Sequence, residues 1–486
     1  MAGQISKLRV HPAIGVARLG NSPKAYFFGP EHVGAVHDGP FKDEQGRVQR
    51  QAARFRIYGY DAHDRLLGEV TARDATISWT VHVANHKAAW KQFDGPNPDA
   101  PLRNRHHTDR NKLVIDPGAR TLQGPGARTS FDSGKFLDKH VPLGDAHVDD
   151  HGRLVVLGGW GHSASIPAGR PLDTYANNDD WHDDTSDGPI TAEVRLNGAA
   201  QPLHASPAWV LCVPPDFAPG IAGAVTLYDT LLHVAIERGL HPPLGVPSFT
   251  RDVYPILARA LGMKWVSAMA APNHGTLAPA CGPGAPVAMK QAIVARLRDP
   301  ALAFDVDSPG DMPMLWSDFY GAGHSLALTA TQFAVMTQWA RGHFVDDWRG
   351  QPAEHSKAIT PAGLDRAQLE ACVGGALYPG LEASWLLRDE YEFTEPFRLS
   401  HAGRAAGDVT KQMAVPWQAD FNECSQDGEY AWWPSQRPDD VFPEAGGEQV
   451  SWTRELVSSN LDMVEHWHEL GFVVKKGHRY VETERK

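Results

Sequence analysis

The sequence predicts an α+β protein, with a β-rich first part packed on a helix-rich, loop-rich second part. Three observations predict it. Residues 5–85 and much of 145–213 alternate apolar and polar side chains with β-branched and aromatic enrichment, the pattern of half-buried strands. From about residue 220 the apolar spacing changes to a helical period. Strands and helices are segregated along the chain, which excludes an alternating βαβ fold. The expected division places a β-rich domain at 1–215 and a mixed helical and loop domain at 216–486, with a soft boundary at Pro214 to Gly220. No low-complexity linker separates the two, so a broad interface is expected.

In order, ISKLRV, ARFRIYGYD and ATISWTVHVANH read as strands, with turn chemistry in KDEQGRV. Phe55, Ile57 and Tyr60 are expected near a core, and Arg54 and Arg56 on the opposite, surface or contact face. Residues 91–144 are polar and rich in Gly and Pro. Adjacent His106 and His107 invite a metal reading, but neighbouring histidines point differently on most backbones and no second pair stands at ligand spacing, so a solvated or interface loop is expected and no metal is assigned.

LVVLGGWGHS reads as a strand entering a Gly-rich turn. Gly158, Gly159 and Gly161 do not fit a dinucleotide fingerprint. They allow close backbone approach and present Trp160 and His162. NNDDWHDDTSDGP holds five aspartates between Asp179 and Asp187. Its spacing is not that of an EF-hand, and it reads as an acidic loop of turn formers and caps. ITAEVRLN and PAWVLCVPPDF are further strands, with Cys212 facing inward beside Val210. The helices follow: GAVTLYDTLLHVAIERG, ending at Gly239; RDVYPILARALGM, broken near Pro255; KQAIVARLRDP; TATQFAVMTQWARGHF, capped by Thr329 or Thr331; and LDRAQLEACVGG, with Cys372 in its last turn.

Composition narrows the function. The net charge of −12, without a dense Lys/Arg run, argues against nucleic acid. The start MAGQISKLRVHP lacks a signal-peptide core, and no stretch approaches the ~20 apolar residues of a membrane helix. A cytoplasmic protein is expected, with export by an unusual route as the alternative. Four cysteines at wide spacing form neither a disulfide framework nor a zinc knuckle.

The densest chemistry lies in MAVPWQADFNECSQDGEYAWWPSQRP, Met413 to Pro438. It gathers Asp420, Cys424 and the tryptophans Trp417, Trp432 and Trp433, and its three prolines prevent one regular helix. An oxidised indole can become an ortho-quinone, a thiolate can add to it as a thioether, and a nearby carboxylate can take protons. PWQADFNEC and WWPSQRPDDV resemble the C-terminal signature of the cysteine tryptophylquinone (CTQ) amino-acid oxidases, which include lysine ε-oxidases and glycine oxidases. HPAIGVARLGNS, FKDEQGRVQRQAARFRIY, LVVLGGWGHS, NNDDWHDDTSDGPI and ACVGGALYPGLE resemble the same family in its order, so the likeness covers most of the chain. This chain is compact beside the family, and its Cys424 stands only eight or nine residues before the Trp pair.

The resemblance implies a quinoprotein that oxidatively deaminates a primary amine, of an amino acid above all, releasing ammonia and passing electrons to oxygen to give hydrogen peroxide. A dehydrogenase with another acceptor and a non-catalytic relative with unmodified Trp are the alternatives. Asp420 is the expected base, and quinohemoprotein amine dehydrogenases similarly place an Asp four residues before the equivalent cysteine. Cys424 and Trp433 are the expected cross-linked pair, with Trp432 the alternative. Cys372 is expected close to the cofactor without being its thiol. The resemblance also places the Gly-rich turn, with Trp160 and His162, at the substrate pocket. It implies a flavoprotein partner that matures the cofactor. The amine is not specified by any residue pattern, and a homo-oligomer is compatible with the sequence.

Overall fold

In the computed structural model, which describes residues 5–93, 99–302, 312, 327–374, 387, 392–423 and 436–486, the alternating segments form one 13-stranded sheet. Its central path runs Arg120–Gln123, Ala75–Val81, Ser186–Leu196, Ala208–Val213, Ile14–Arg18, Arg50–Tyr60, Leu154–Leu157, Asp145–Val148, Arg128–Ser130. Most neighbours are antiparallel, as in the Ile190–Val81 and Leu154–Phe55 registers. Ala208–Val213 lies parallel to Ile14–Arg18, with Trp209 opposite Ile14.

That parallel pair forms the middle of the protein. Every residue of Ala208–Val213 is buried, because the strand is covered on both faces. On one face Val210 and Cys212 join Phe55, Trp79 and Val156 in the core of the first part. On the other, Trp209, Leu211 and Val213 pack with Leu227, Leu231, Leu369 and Cys372 from the helical part. Each such fully buried Leu or Val contributes roughly 1.5–3 kcal/mol relative to exposure. The expected broad contact between the β-rich and helical parts is therefore made through this strand.

The helices start where side chains can cap them. Thr226 and Asp229 form a capping box for Leu227–Glu237, and Thr329 and Gln332 do the same for Ala330–Ala340. Thr360 caps Pro361–Glu370, which begins before the expected LDRAQ run and ends two residues before Cys372. Pro255 does not break Tyr254–Gly262; it sits in the first turn, where a proline costs no intrahelical bond. Of the face expected from spacing, Phe333, Met336, Trp339 and Ala340, the last three are buried on the helix Ala330–Ala340 and Phe333 is half-buried. Among the described residues no helix is long and apolar enough to cross a membrane.

Two readings change. Arg56 is buried, not at the surface: its guanidinium pairs with Glu31 at 2.8 Å and Glu69 at 3.3 Å. The acidic stretch is not a loop of turn formers and caps throughout. Trp181–Asp183 and Ser186–Leu196 are strands, and Asp180, Asp183, Asp184 and Asp187 are all buried, because each carboxylate meets a donor from a distant segment.

Candidate active site

The segment that reaches Cys424 ends in a short helix, Trp417–Glu423. Asp420 is 2% exposed on it, between buried Ala419 and Phe421. The Trp417 indole packs edge-on against Phe421, at 4.8 Å, and Trp467, at 5.4 Å. Cys424, Trp432 and Trp433 lie outside the described residues.

Buried carboxylates fix this helix. Oδ2 of Asp183 accepts the Trp417 N–H at 3.1 Å and the Lys87 ammonium at 2.6 Å. Lys87 also donates to the Ala414 carbonyl at 2.7 Å. Asn85 and Thr185 donate to the other oxygen of Asp183 at 2.9 and 2.8 Å, so no charge is left without partners. Upstream, Asp187 accepts the Val409 and Thr410 N–H groups, the Thr410 hydroxyl and the Trp209 indole N–H. At the helix end, Asn422 donates to Asn460 at 2.7 Å, and Asn460 donates to Glu423 at 2.5 Å.

The Gly-rich turn packs on the same helix. Gln418, two residues before Asp420, donates to the Gly161 carbonyl at 3.0 Å and accepts from the Ser163 hydroxyl at 2.7 Å. Beneath the turn, Asp184 Oδ2 accepts the N–H groups of Trp160, at 2.6 Å, and His162, at 3.1 Å. A Cβ on Gly159 would lie 2.5 Å from that carboxylate, and Gly161 has φ +72° with the Trp467 indole 2.3 Å from where its Cβ would be. Burial pushes the Asp184 carboxyl up to about 7, against the lowering effect of its backbone donors. Trp160 is half-buried under the Arg50 guanidinium, 4.7 Å from its ring, and His162 is exposed. The structure thus brings Trp160 and His162 to the helix that carries Asp420.

Cys372 is buried at the adjoining edge. Its thiol donates to the Gln368 carbonyl at 3.2 Å, with Arg18 at 3.9 Å. The next residue, Val373, shares an apolar cluster with Trp417 and Phe421. Gly374 is required there, since a Cβ would collide with the Thr226 carbonyl 1.7 Å away.

Sequence reasoning missed Lys87, Asp183, Asp187 and Gln418. The composition of NNDDWHDDTSDGP was a signal that something unusual occurs there, but it gave no partner.

Residues 11–212 match the family model described as L-lysine epsilon oxidase N-terminal, and residues 308–444 match L-lysine epsilon oxidase C-terminal domain. L-lysine 6-oxidase of Marinomonas mediterranea is 28% identical over an alignment 668 positions long, covering 98% of this chain and 89% of that protein. The crystal structure of the Schiff base intermediate of L-Lys epsilon-oxidase from Marinomonas mediterranea with L-Lys superposes with a TM-score of 0.81 at 27% identity, covering 98% of this chain and 95% of that one. A further structure of that epsilon-lysine oxidase gives 0.82 at 26% identity, covering 99% and 95%. With both family models in chain order and the likeness extending over nearly the whole fold, the chain belongs to the L-lysine epsilon-oxidase family and is an oxidoreductase.

Proposed function

We propose that this protein oxidatively deaminates a primary amine of an amino acid, with a cysteine tryptophylquinone built from its own Cys424 and Trp433, or alternatively Trp432. One amine, one water and one oxygen molecule are consumed; a carbonyl product, ammonia and hydrogen peroxide are released. The observation that carries this reading is the burial of Asp420 on a helix that ends at Glu423, one residue before Cys424. A buried carboxylate four residues before a cysteine in the chain suits a group that needs a proton acceptor and exclusion of water.

The quinone, when present, supplies an electrophilic carbonyl and accepts two electrons. The chain's own residues do the rest. Asp420 takes the proton from the amine-bearing carbon, as a general base held by its helix. Lys87 and Asp183 hold the start of that helix, and Gln418 ties it to the Trp160–His162 turn, so the base keeps its orientation. Trp160 and His162 border the amine's entry, and Cys372 borders the cofactor. The boundary at Pro214 to Gly220 separates the β scaffold, 1–215, from the part that carries the quinone, 216–486. A flavoprotein partner matures the cofactor, since oxidation of an indole takes several electrons. The reaction takes place in the cytoplasm.

The test is the protein purified after co-expression with such a flavoprotein. Its intact mass should carry the small defined change of a cross-link plus two oxygens, it should absorb visible light, and it should release peroxide and ammonia with L-lysine or glycine in a panel of amines. An unmodified mass from active enzyme would overturn the cofactor. Turnover with a dye but never with oxygen would make it a dehydrogenase.

A further inference from the structure

The histidine stretch RNRHHTDRNK and the acidic stretch NNDDWHDD are more than seventy residues apart in sequence and meet in the fold. Nε2 of His106 and Nε2 of His107 both lie 2.9 Å from the same oxygen, Oδ1 of Asp180. The three ligand atoms lie within 4.8 Å of one another. We propose that His106, His107 and Asp180 bind one divalent transition-metal ion of the imidazole-preferring class, with Zn2+ as its representative.

The arrangement admits an ion in place of the ring protons. Both imidazole nitrogens converge on one carboxylate oxygen at 2.9 Å, and a small outward shift to the ~3.3 Å separation of tetrahedral ligands would seat a cation among the three atoms. Adjacent residues rarely aim their side chains at one atom. Here the backbone is set to do so: Asn104, at φ +54°, precedes the pair, and His107 N–H closes a turn on the Asn104 carbonyl at 3.0 Å. Asp180 itself has φ +69°, a costly conformation for a side chain that bears no turn glycine's freedom, and such strain collects at binding sites.

The two halves are locked together without the histidines. Asn104 N–H donates to Asp179, and the Asn104 side chain accepts the Asp180 N–H, both at 2.5 Å. Arg170 Nε donates to the other oxygen of Asp180 at 2.6 Å, which leaves Oδ1 for the ion. Asp179 and Asp180 place negative charge beside the imidazoles, with Arg170 paired to Asp180 and with Arg103 and Arg110 near Asp179. Asp179 Oδ2 is 3.8 Å from Nδ1 of His106, too far for a hydrogen bond but close enough to add negative charge beside that ring. His106 and His107 are 47% and 29% exposed, so water completes the coordination shell. Imidazole nitrogen favours zinc-like ions over calcium or magnesium.

The experiment is calorimetric titration of the full chain, stripped by chelator, with Zn2+, and with Ca2+ as the control. The wild type should bind one Zn2+ per chain and no Ca2+. The variant His106→Gln/His107→Asn should bind Zn2+ at least about tenfold more weakly, while Asp180 keeps Arg170 and Asn104. The chain has 24 histidines, so location needs its own readout: in the wild type, Zn2+ should protect His106 and His107 from diethylpyrocarbonate, mapped by mass spectrometry. This second measurement needs no variant to fold. Absence of a saturable Zn2+ site, equal binding by a folded double variant, or reaction of both histidines undiminished by Zn2+ would each overturn the proposal.

Discussion

The ammonium of Lys87 lies 2.6 Å from Oδ2 of Asp183, and neither side chain has any exposed surface. That oxygen also accepts the first N–H of the Asp420 helix, so an ion pair made inside the β-rich part fixes the start of a helix more than two hundred residues later. Burial holds the Lys87 ammonium below its ordinary range, opposed by the Asp183 charge.

Removing one partner should therefore be worse than removing both. Lys87→Met is expected to cost about 3–5 kcal/mol, because it strands a buried carboxylate. Adding Asp183→Asn to that variant should recover part of the loss, since a neutral amide oxygen can still accept the Trp417 N–H. Denaturant unfolding of both variants checks this; a double variant less stable than Lys87→Met would refute it.

Asp184 gives the expected pH dependence. Its carboxyl rises from the usual 3.8 to about 7 in the folded protein, chiefly through burial. Between those values the folded state holds a proton that the unfolded state has lost, so this contribution is complete at low pH and disappears as pH rises through about 7. Asp184→Asn should remove a slope of about −1.4 kcal/mol per pH unit from the stability profile over that window. Unfolding free energies of the two proteins at several pH values test it, and parallel profiles would contradict it.

Gly161→Ala should loosen the turn that carries Trp160 and His162. The new methyl meets the Trp467 indole, and the backbone stands at φ +72°, so a loss of about 1–3 kcal/mol is expected. The melting temperature should fall and KM for the amine should rise, because Gly161 is also the acceptor for Gln418 beside Asp420.

Local chemistry was legible in the sequence, and long-range pairing was not. Alternation in ATISWTV and threonines ahead of an apolar helical run act within a few residues, and they predicted the strand Ala75–Val81 and, of Thr329 or Thr331, the cap that the structure places at Thr329. Asp420 and Cys424 were legible only as a motif, because no spacing rule gives an aspartate four residues before a cysteine its meaning. Lys87 meets Asp183 across 96 positions, and Ser163 meets Gln418 across 255. Nothing local marks such pairs. The acidic stretch was misread for the same reason: carboxylates that look destined for solvent are buried when their donors arrive from elsewhere. Arg56 beside Glu31 and Glu69 repeats the lesson.

Asp420→Asn keeps the size and hydrogen-bonding capacity of the side chain and removes its basicity. Turnover of the mature enzyme is expected to fall by about 10²–10⁴, the usual worth of a general base. Steady-state peroxide release, normalised to quinone absorbance, checks this. Full turnover per quinone in Asp420→Asn or Asp420→Ala would remove Asp420 from the reaction.

The last prediction separates the two tryptophans beyond Cys424. Both follow it closely, at eight and nine positions, with Gly428 between to allow a tight turn. Adjacent residues in an extended segment point to opposite sides, so only one can meet the sulfur. Trp433 precedes Pro434, and a residue before proline is confined to extended backbone, which restricts the direction of its indole. A covalent cofactor gains from that restriction, because its carbonyl must stay oriented to Asp420 through turnover. Trp433→Phe should therefore abolish the quinone absorbance and the mass change, whereas Trp432→Phe should keep both and lose activity only in part. Peptide mapping of the wild-type protein should place the thioether between Cys424 and Trp433. A cross-linked peptide containing modified Trp432, or a quinone that survives Trp433→Phe, would reverse the assignment.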